Sequence, residues 1–223
     1  MSRLNIRLRG ALLLSGVILL ATVTAGAATP PAVSGAATTP SPSPSVTPPL
    51  RVLSRAGSLT LLTDPEQSKV LFASGAAPFS LAPAGLSLTD DAFRFAFPVR
   101  TASLNPVSLA ATISARGGFE FWGRQTMSAW TVLSFTRLSA SLGTPATVSA
   151  VFDANQGRHT IMALDLSKQK VSPFTQGGHR WVRIAGIQAT MSAWLVGQLK
   201  AAFPTYQPLS HALGTVTVTL RIG

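Results

Sequence analysis

The side chains that most often carry catalysis are scarce in this 223-residue sequence, which has 7 acidic residues, 3 histidines and no cysteine. Acid–base and nucleophilic mechanisms need such groups within hydrogen-bonding reach of one another. No serine lies in a G-x-S-x-G elbow, and neither a P-loop nor a dinucleotide fingerprint occurs. Glu120 and Asp153 could meet in the fold as the carboxylate pair of an exported hydrolase, which stays an alternative. The prediction we prefer is that the protein is not an enzyme.

Metal binding is not indicated by the histidines either. His159, His179 and His211 are isolated in the sequence, and the chain has no H-E-x-x-H or C-x-x-C motif. A zinc site needs three or four ligands held close together. We therefore predict no metal site and no cofactor, with haem kept as an alternative that rests on a resemblance given below.

Tryptophan and arginine are the residues that indicate a binding function. Trp122 stands beside Arg124, and Trp181 stands beside Arg183 at the same spacing of two. These four are the candidate ligand-binding residues. Together with Trp130, the two tryptophans could form a stacking surface for a sugar, a lipid or a planar cofactor. The alternative, which we favour at this point, is that the three tryptophans fill the core.

The elements that would position these residues are mainly strands. Residues 92–99 alternate between phenylalanine and small or basic residues, and residues 215–222 alternate between β-branched and other residues. Pro98 predicts that the first of these strands ends there or lies at an edge. Further strands are predicted at 58–63, 109–115, 118–124, 126–140, 146–152, 159–166 and 180–184. Short strands at this spacing predict a mainly β fold, an antiparallel β-sandwich-like domain.

Two short α-helices interrupt the strands. Asp64, Pro65 and Glu66 supply an N-cap, a proline in the first helical turn and an acid near the positive end of the helix dipole. This helix should run to about residue 74, before Gly75. The second helix should span about residues 190–203, since Trp194, Leu195, Leu199 and Phe203 recur at helical spacing before Pro204.

The N-terminal residues are typical of export. Residues 1–27 combine three arginines, a short apolar run and an Ala-Gly-Ala exit, the three parts of a cleavable signal peptide. Residues 28–50 contain seven prolines among serine, threonine and alanine, which predicts a disordered linker. Residues 51–223 remain as a single β-rich domain. We expect no retained transmembrane helix and a secreted or cell-envelope location.

The net charge limits the classes of partner that are expected. Removal of residues 1–27 leaves 15 basic and 7 acidic residues, a formal charge of +8. For an exported protein, anionic cell-wall polymers and lipid headgroups are the nearest partners of opposite charge. The basic residues are scattered rather than gathered in a stripe, so nucleic acid is not predicted as a partner. We expect a monomer.

Four segments in the second half of the chain resemble the HtaA-type module of Gram-positive surface haem-uptake proteins. Gly118–Arg124 resembles the strand of that family that ends in F-x-G-H. Residues 163–167 resemble its LDLS segment, and residues 186–190 with the following helix resemble its G-V-P-A-T-L-T helix. Pro208-Leu209 and the final strand resemble its end. The resemblance implies a secreted β-rich domain, and in the family such a domain binds haem through tyrosine and histidine.

This chain departs from the family pattern at the ligands. Arg124 stands where the motif has histidine, and Tyr206, the sole tyrosine, follows the second predicted helix. Haem iron takes tyrosine, histidine, methionine or cysteine as axial ligands. The preferred prediction is therefore a non-enzymatic binding or structural module of the cell envelope or extracellular space, and an HtaA-like haem-binding protein is the alternative.

Overall fold

Alternating sequence patterns become antiparallel strands through most of the chain. The computed structural model describes residues 51–124, 130–153 and 156–223. The predicted signal peptide and linker lie outside the described residues. The strands are β1 (Val52–Ser54), β2 (Gly57–Thr63), β3 (Ala77–Leu81), β4 (Gly85–Thr89), β5 (Ala92–Leu104), β6 (Ala111–Ala115), β7 (Gly118–Arg124), β8 (Trp130–Leu142), β9 (Thr147–Phe152), β10 (Arg158–Asp165), β11 (Lys170–Gln176), β12 (His179–Met191) and β13 (Ala212–Arg221). The helices are α1 (Pro65–Ala73) and α2 (Ala193–Ala202).

The sheet closes on itself. Within the described residues, eight strands follow one another in the order β5, β2, β13, β12, β10, β9, β8 and β6. β6 pairs with β8 on one side and with β5 on the other, which completes the ring. The remaining strands extend from this ring: β1 and β4 pair with β5, β7 with β8, β3 with β7, and β11 with β12. The mainly β antiparallel prediction is confirmed, but the sandwich is wrong and the architecture is a barrel.

Pro98 lies within β5 rather than at its end, so that prediction was also wrong. β2 pairs with β5 up to Pro98, and β1 takes over further along the same strand. On the other edge, β4 pairs with the first half of β5 and β6 with the second half. Pro98 occupies the junction where both neighbours change, and its missing N–H therefore removes no regular ladder hydrogen bond.

The two helices add side chains to the barrel core. Asp64 caps α1, since its Oδ1 accepts from the backbone N–H groups of Glu66 and Gln67 at 2.9 and 3.4 Å. Leu71 of α1 and Leu195 and Leu199 of α2 are buried against the strands. No helix in the described part of the chain is long and apolar enough to cross a membrane.

Helix α2 begins later than the sequence pattern indicates. Thr190 and Met191 belong to β12, where they pair with Ala163 and Met162 of β10. Ser192 is the N-cap, and its side-chain hydroxyl accepts from the N–H of Leu195 at 3.1 Å. Strand pairing therefore takes the first two residues of the predicted helix, and the third, Ser192, becomes its N-cap.

Candidate binding surface

The barrel interior is filled by side chains. A ladder of phenylalanines crosses it, with the Phe119 and Phe135 rings stacked at 4.9 Å and the Phe95 and Phe97 rings stacked at 6.1 Å. The gap left among the apolar core residues measures about 10 Å³, on the order of one water molecule. A planar cofactor or a sugar has no room there. Binding chemistry therefore has to be sought on the outer surface.

One aromatic patch lies on the outer face of β3, β7 and β8. Phe119 and Phe121 take the inner face of β7, so Trp122 points outward and is 40% exposed. Its ring lies 5.6 Å from that of Phe79 on β3. The Trp122 Nε1 donates to Glu120 Oε2 at 2.7 Å, which fixes the orientation of the indole.

Arg124 and Trp130 extend this patch. The two residues are directly opposite on β7 and β8, and the Arg124 guanidinium carbon lies 6.0 Å from the centre of the Trp130 ring. That distance is at the limit of a cation–π contact. Trp130 is 64% exposed. We call Phe79, Trp122, Arg124 and Trp130 the β7 patch.

A second aromatic cluster lies on the β11–β12 hairpin. Phe174 and Trp181 are directly opposite, and their rings stack 6.2 Å apart with an interplanar angle of 17°. Trp181 Nε1 donates to the Gln176 carbonyl at 3.2 Å. Arg183 follows on the same face of β12 and is exposed. The stack presents an aromatic surface beside a cation.

Arg183 also borders a row of hydroxyls. It is opposite Thr219 of β13, which in turn is opposite Ser58 of β2. Arg94 of β5 borders the same row through its pairing with Leu62. The result is a shallow depression of about 180 Å³. It is lined by Ser58, Thr60, Leu62, Arg94, Arg183, Thr215, Thr217 and Thr219. None of these lining residues is acidic. We call this the hydroxyl depression.

The four candidate residues thus fall into two sites. Trp122 and Arg124 lie in the β7 patch, and Trp181 and Arg183 lie beside the hydroxyl depression. β9 and β10 separate the two sites in the sheet. The favoured interpretation that Trp122, Trp130 and Trp181 fill the core was wrong, because phenylalanines occupy the inner faces. Phe79 and Phe174 were not predicted as candidates, since neither segment was predicted to be a strand.

Glu120 and Asp153 lie on opposite sides of one strand. Glu120 pairs with Ser134 of β8 across the β7–β8 ladder. Asp153 lies on the other edge of β8, where its Oδ1 accepts from the Ser134 N–H at 3.0 Å. Glu120 accepts from Trp122, so each carboxylate has a structural hydrogen bond. Two strand spacings, about 9.5 Å, separate their backbones, and the fold thus brings them near one another without direct contact.

Several candidate axial ligands for haem have other partners or are buried in the described residues. The Tyr206 hydroxyl is buried and contacts Gln67 and Met191. The ring of His159 stacks on Trp194 with centroids 4.1 Å apart, and its Nε2 contacts the Gln156 carbonyl. Met162 and Met191 are in the apolar core, His179 and His211 are exposed, and Met127 lies outside the described residues.

Metal ligands do not converge either. In residues 51–124, 130–153 and 156–223, no group of three or more histidine, cysteine, aspartate or glutamate side chains could hold a metal ion. The described residues therefore offer no multi-ligand metal site, whereas a haem iron needs a single axial ligand, and His179 and His211 are exposed histidines.

Gly123 of the Phe-Trp-Gly-Arg segment has a packing role. A Cβ built on it would lie 2.2 Å from the Phe203 ring and 2.9 Å from the Gly75 carbonyl oxygen. Phe203 follows α2 and Gly75 follows α1, so this point of β7 lies against the ends of both helices. Gly123, which belongs to the segment that resembles the HtaA-type module, is thus required for the helices to pack on the barrel.

The structure is an antiparallel barrel whose candidate binding residues lie on its outer surface. Its fold is similar to that of the C-terminal domain of HtaA from Corynebacterium glutamicum. The TM-score is 0.51 at 14% sequence identity, covering 75% of this chain and 99% of that one. The resemblance inferred from the sequence is thereby confirmed for the fold.

Other comparisons are weaker. The heme binding protein HtaB from Corynebacterium glutamicum matches with a TM-score of 0.45 and 14% identity, over 77% of this chain and 96% of that one. No family model matches the sequence, and no curated protein matches it.

Proposed function

We propose that this protein is an exported, non-enzymatic binding module whose outer surface binds anionic cell-wall polymers. The observation that carries the proposal is the hydroxyl depression, where Arg94 and Arg183 border a row of serine and threonine hydroxyls with no acid among them. The Phe174–Trp181 stack adjoins it through Arg183. Aromatic faces stack on sugar rings, hydroxyls exchange hydrogen bonds with sugar hydroxyls, and guanidinium groups bind carboxylate or phosphate.

The overall charge supports the same class of ligand. After removal of the predicted signal peptide the formal charge is +8. A net positive charge attracts anionic polymers, and dissolved salt weakens this attraction by screening it. The proline-rich residues 28–50 would hold the domain away from the surface to which the chain is bound.

A sedimentation experiment with purified cell wall tests the proposal. The double variant Arg94→Gln/Arg183→Gln should lose most of its binding, and Trp181→Ala should weaken it. Lys69→Gln/Lys200→Gln removes an equal number of positive charges, at exposed positions on the helices, and is the matched control. Equal losses in the two double variants would mean that net charge alone accounts for binding, and the hydroxyl depression would be abandoned as the site.

Haem binding is the second candidate, and the likeness to the HtaA domain is what favours it. Tyr206 and His159 are engaged by other side chains, and the core gap is too small for a porphyrin, so a haem would have to be held on the surface by an exposed histidine such as His179 or His211. A spectrophotometric haemin titration of residues 28–223 separates the two candidates. A Soret shift at micromolar haemin would favour haem binding, and its absence would leave the polymer-binding function.

A further inference from the structure

A separate cleft lies between the end of β3, strands β5, β6 and β8, and the connection from β6 to β7, and none of its residues belongs to the β7 patch or the hydroxyl depression. Its volume is about 650 Å³. It is lined by Leu81, Ala82, Arg100, Ala115, Arg116, Gly117, Thr136 and Arg137. Three of these eight residues are arginines, and none is acidic. The cleft is therefore a concentration of positive charge that the sequence, where the three arginines are far apart, does not indicate.

Each arginine occupies an irregular point of the sheet. Arg100 lies in the register shift between Val99 and Thr101, where β5 pairs with β6. Arg137 lies in the register shift between Thr136 and Ser139, where β8 pairs with β9, and has a φ of 50°. Bulges of this kind redirect side chains and recur beside binding sites. A non-glycine residue at positive φ is uncommon and is maintained only where its surroundings fix it.

Arg116 lies in the connection between β6 and β7. Its backbone N–H donates to the Pro98 carbonyl at 2.8 Å, which ties this connection to β5 close to Arg100. The next residue, Gly117, has a φ of 79°, and a Cβ there would lie 2.5 Å from the Leu81 carbonyl oxygen. The connection is thus held close to the end of β3, and it places Arg116 between the two bulges.

A fourth arginine supports the bulge at Arg137. Arg158 of β10 donates from Nη2 to the Arg137 carbonyl at 2.9 Å and from Nη1 to the Ser149 carbonyl at 3.4 Å. Its guanidinium therefore spans β8 and β9 at the bulge. Arg158 is a positioning residue that keeps the backbone of Arg137 in its unusual conformation.

The cleft is lined by three arginines and by no acidic residue. Across the described ranges, the sole ion pair within 4 Å joins Lys69 and Glu66 on α1. Three arginines that line one open cleft raise the positive potential there and attract an anion. The planar guanidinium fork matches the paired oxygens of phosphate, and several such groups around one anion add charge-assisted hydrogen bonds.

We propose that this cleft binds phosphate groups of a phosphate-bearing polymer, through Arg100, Arg116 and Arg137. An open cleft of about 650 Å³ can hold successive phosphates of a chain laid along it, and lipid headgroups, the other source of phosphate, are the second arm of the test below. The proposal does not rest on the hydroxyl depression, because the two sites share no residue. Variants of one site leave the lining residues of the other unchanged.

Titration calorimetry with inorganic tripolyphosphate tests the proposal on residues 28–223. The wild type should bind, and Arg100→Gln/Arg116→Gln should bind at least about tenfold more weakly, equivalent to about 1.4 kcal/mol. Arg137→Asn, which keeps a residue that tolerates positive φ, should also weaken binding. Lys69→Gln/Lys200→Gln should stay within about twofold of wild type, with unfolding temperatures checked for every variant.

Two results would overturn the assignment. Absence of tripolyphosphate binding by the wild type, or an equal loss in the helix-lysine control, would show that the cleft is not a phosphate site. Vesicles containing phosphatidylglycerol serve as the second arm. Binding to these vesicles that depends on Arg100 and Arg116 and exceeds the affinity for tripolyphosphate would replace the polymer with a membrane headgroup as the source of phosphate.

Discussion

The side chains of Gln67 and Tyr206, 139 residues apart in sequence, form a buried hydrogen bond of 2.6 Å from Nε2 to the phenolic oxygen. The Tyr206 hydroxyl in turn donates to the Met191 sulfur at 3.4 Å. Helix α1, the end of β12 and the segment after α2 are joined through these three side chains. The sole tyrosine of the chain is therefore part of the core.

Replacement of Tyr206 by phenylalanine should destabilise the fold. The buried Gln67 amide would lose its acceptor, and an unsatisfied buried donor costs about 1–3 kcal/mol. Gln67→Met/Tyr206→Phe removes both partners and should lose less than the two single changes summed. Urea unfolding of the four proteins measures the cycle. Additive losses would mean that the two side chains are not coupled.

Titration of Tyr206 gives a pH prediction. Burial raises the pKa of Tyr206 to about 12, against an ordinary value of 10.0. The folded state then holds its proton more tightly than the unfolded state between these values. The protonated Tyr206 therefore contributes fully to stability below pH 10, and this contribution is lost as the pH rises toward 12. The free energy of unfolding should fall by about 2–3 kcal/mol over this range.

Tyrosinate absorbance measures this directly, because the sequence has one tyrosine. The native protein should ionise near pH 12 and the urea-unfolded protein near pH 10. Tyr206→Phe should show no tyrosinate signal and a flatter dependence of stability on pH over this range. Ionisation near pH 10 in the native state would contradict the burial of the hydroxyl.

Gly123 and Gly197 should respond oppositely to replacement by alanine. A Cβ at Gly123 meets the Phe203 ring, so Gly123→Ala should destabilise the protein by about 1–3 kcal/mol through overpacking. A Cβ at Gly197 meets nothing within 4 Å. Gly197→Ala in the middle of α2 should stabilise by about 0.5–1 kcal/mol. Thermal unfolding measures both, and a neutral Gly123→Ala would show that the helix ends do not pack closely on β7.

Inner and outer aromatic residues of neighbouring strands should differ sharply in their contribution to stability. Phe135 is fully buried, and Phe135→Ala should cost about 3–5 kcal/mol. Trp122 is 40% exposed, and Trp122→Ala should cost less than about 1 kcal/mol. Denaturant unfolding compares the two. A loss at Trp122 as large as that at Phe135 would restore the core interpretation of the tryptophan.

Local signals in the sequence predicted local structure well. Asp64 and Pro65 predicted the start of α1, because capping involves residues within one turn. The alternation in residues 92–99 and 215–222 predicted strands within β5 and β13, because alternation is also a local signal. The alternation in β7 predicted that Trp122 and Phe119 lie on opposite faces of the strand. Which of the two faces turns inward depends on the neighbours that pack there.

Closure of the sheet could not be predicted, because it depends on pairings between distant segments. The barrel exists because β6 pairs with both β5 and β8, and nothing in residues 111–115 specifies two partners. The arginine cleft has the same origin. Arg100, Arg116 and Arg137 come together through two bulges and one connection, and register shifts leave no simple periodic signal.

Binding of the protein to purified cell wall at increasing salt tests the central claim most directly. Charge attraction to an anionic polymer should hold the protein on the wall at about 0.1 M salt and release most of it at about 1 M, where screening shortens from about 10 Å to about 3 Å. Arg94→Gln/Arg183→Gln should remain in the supernatant at the lower salt. Binding that does not change with salt, or no binding at any salt, would contradict a function based on the basic outer surface.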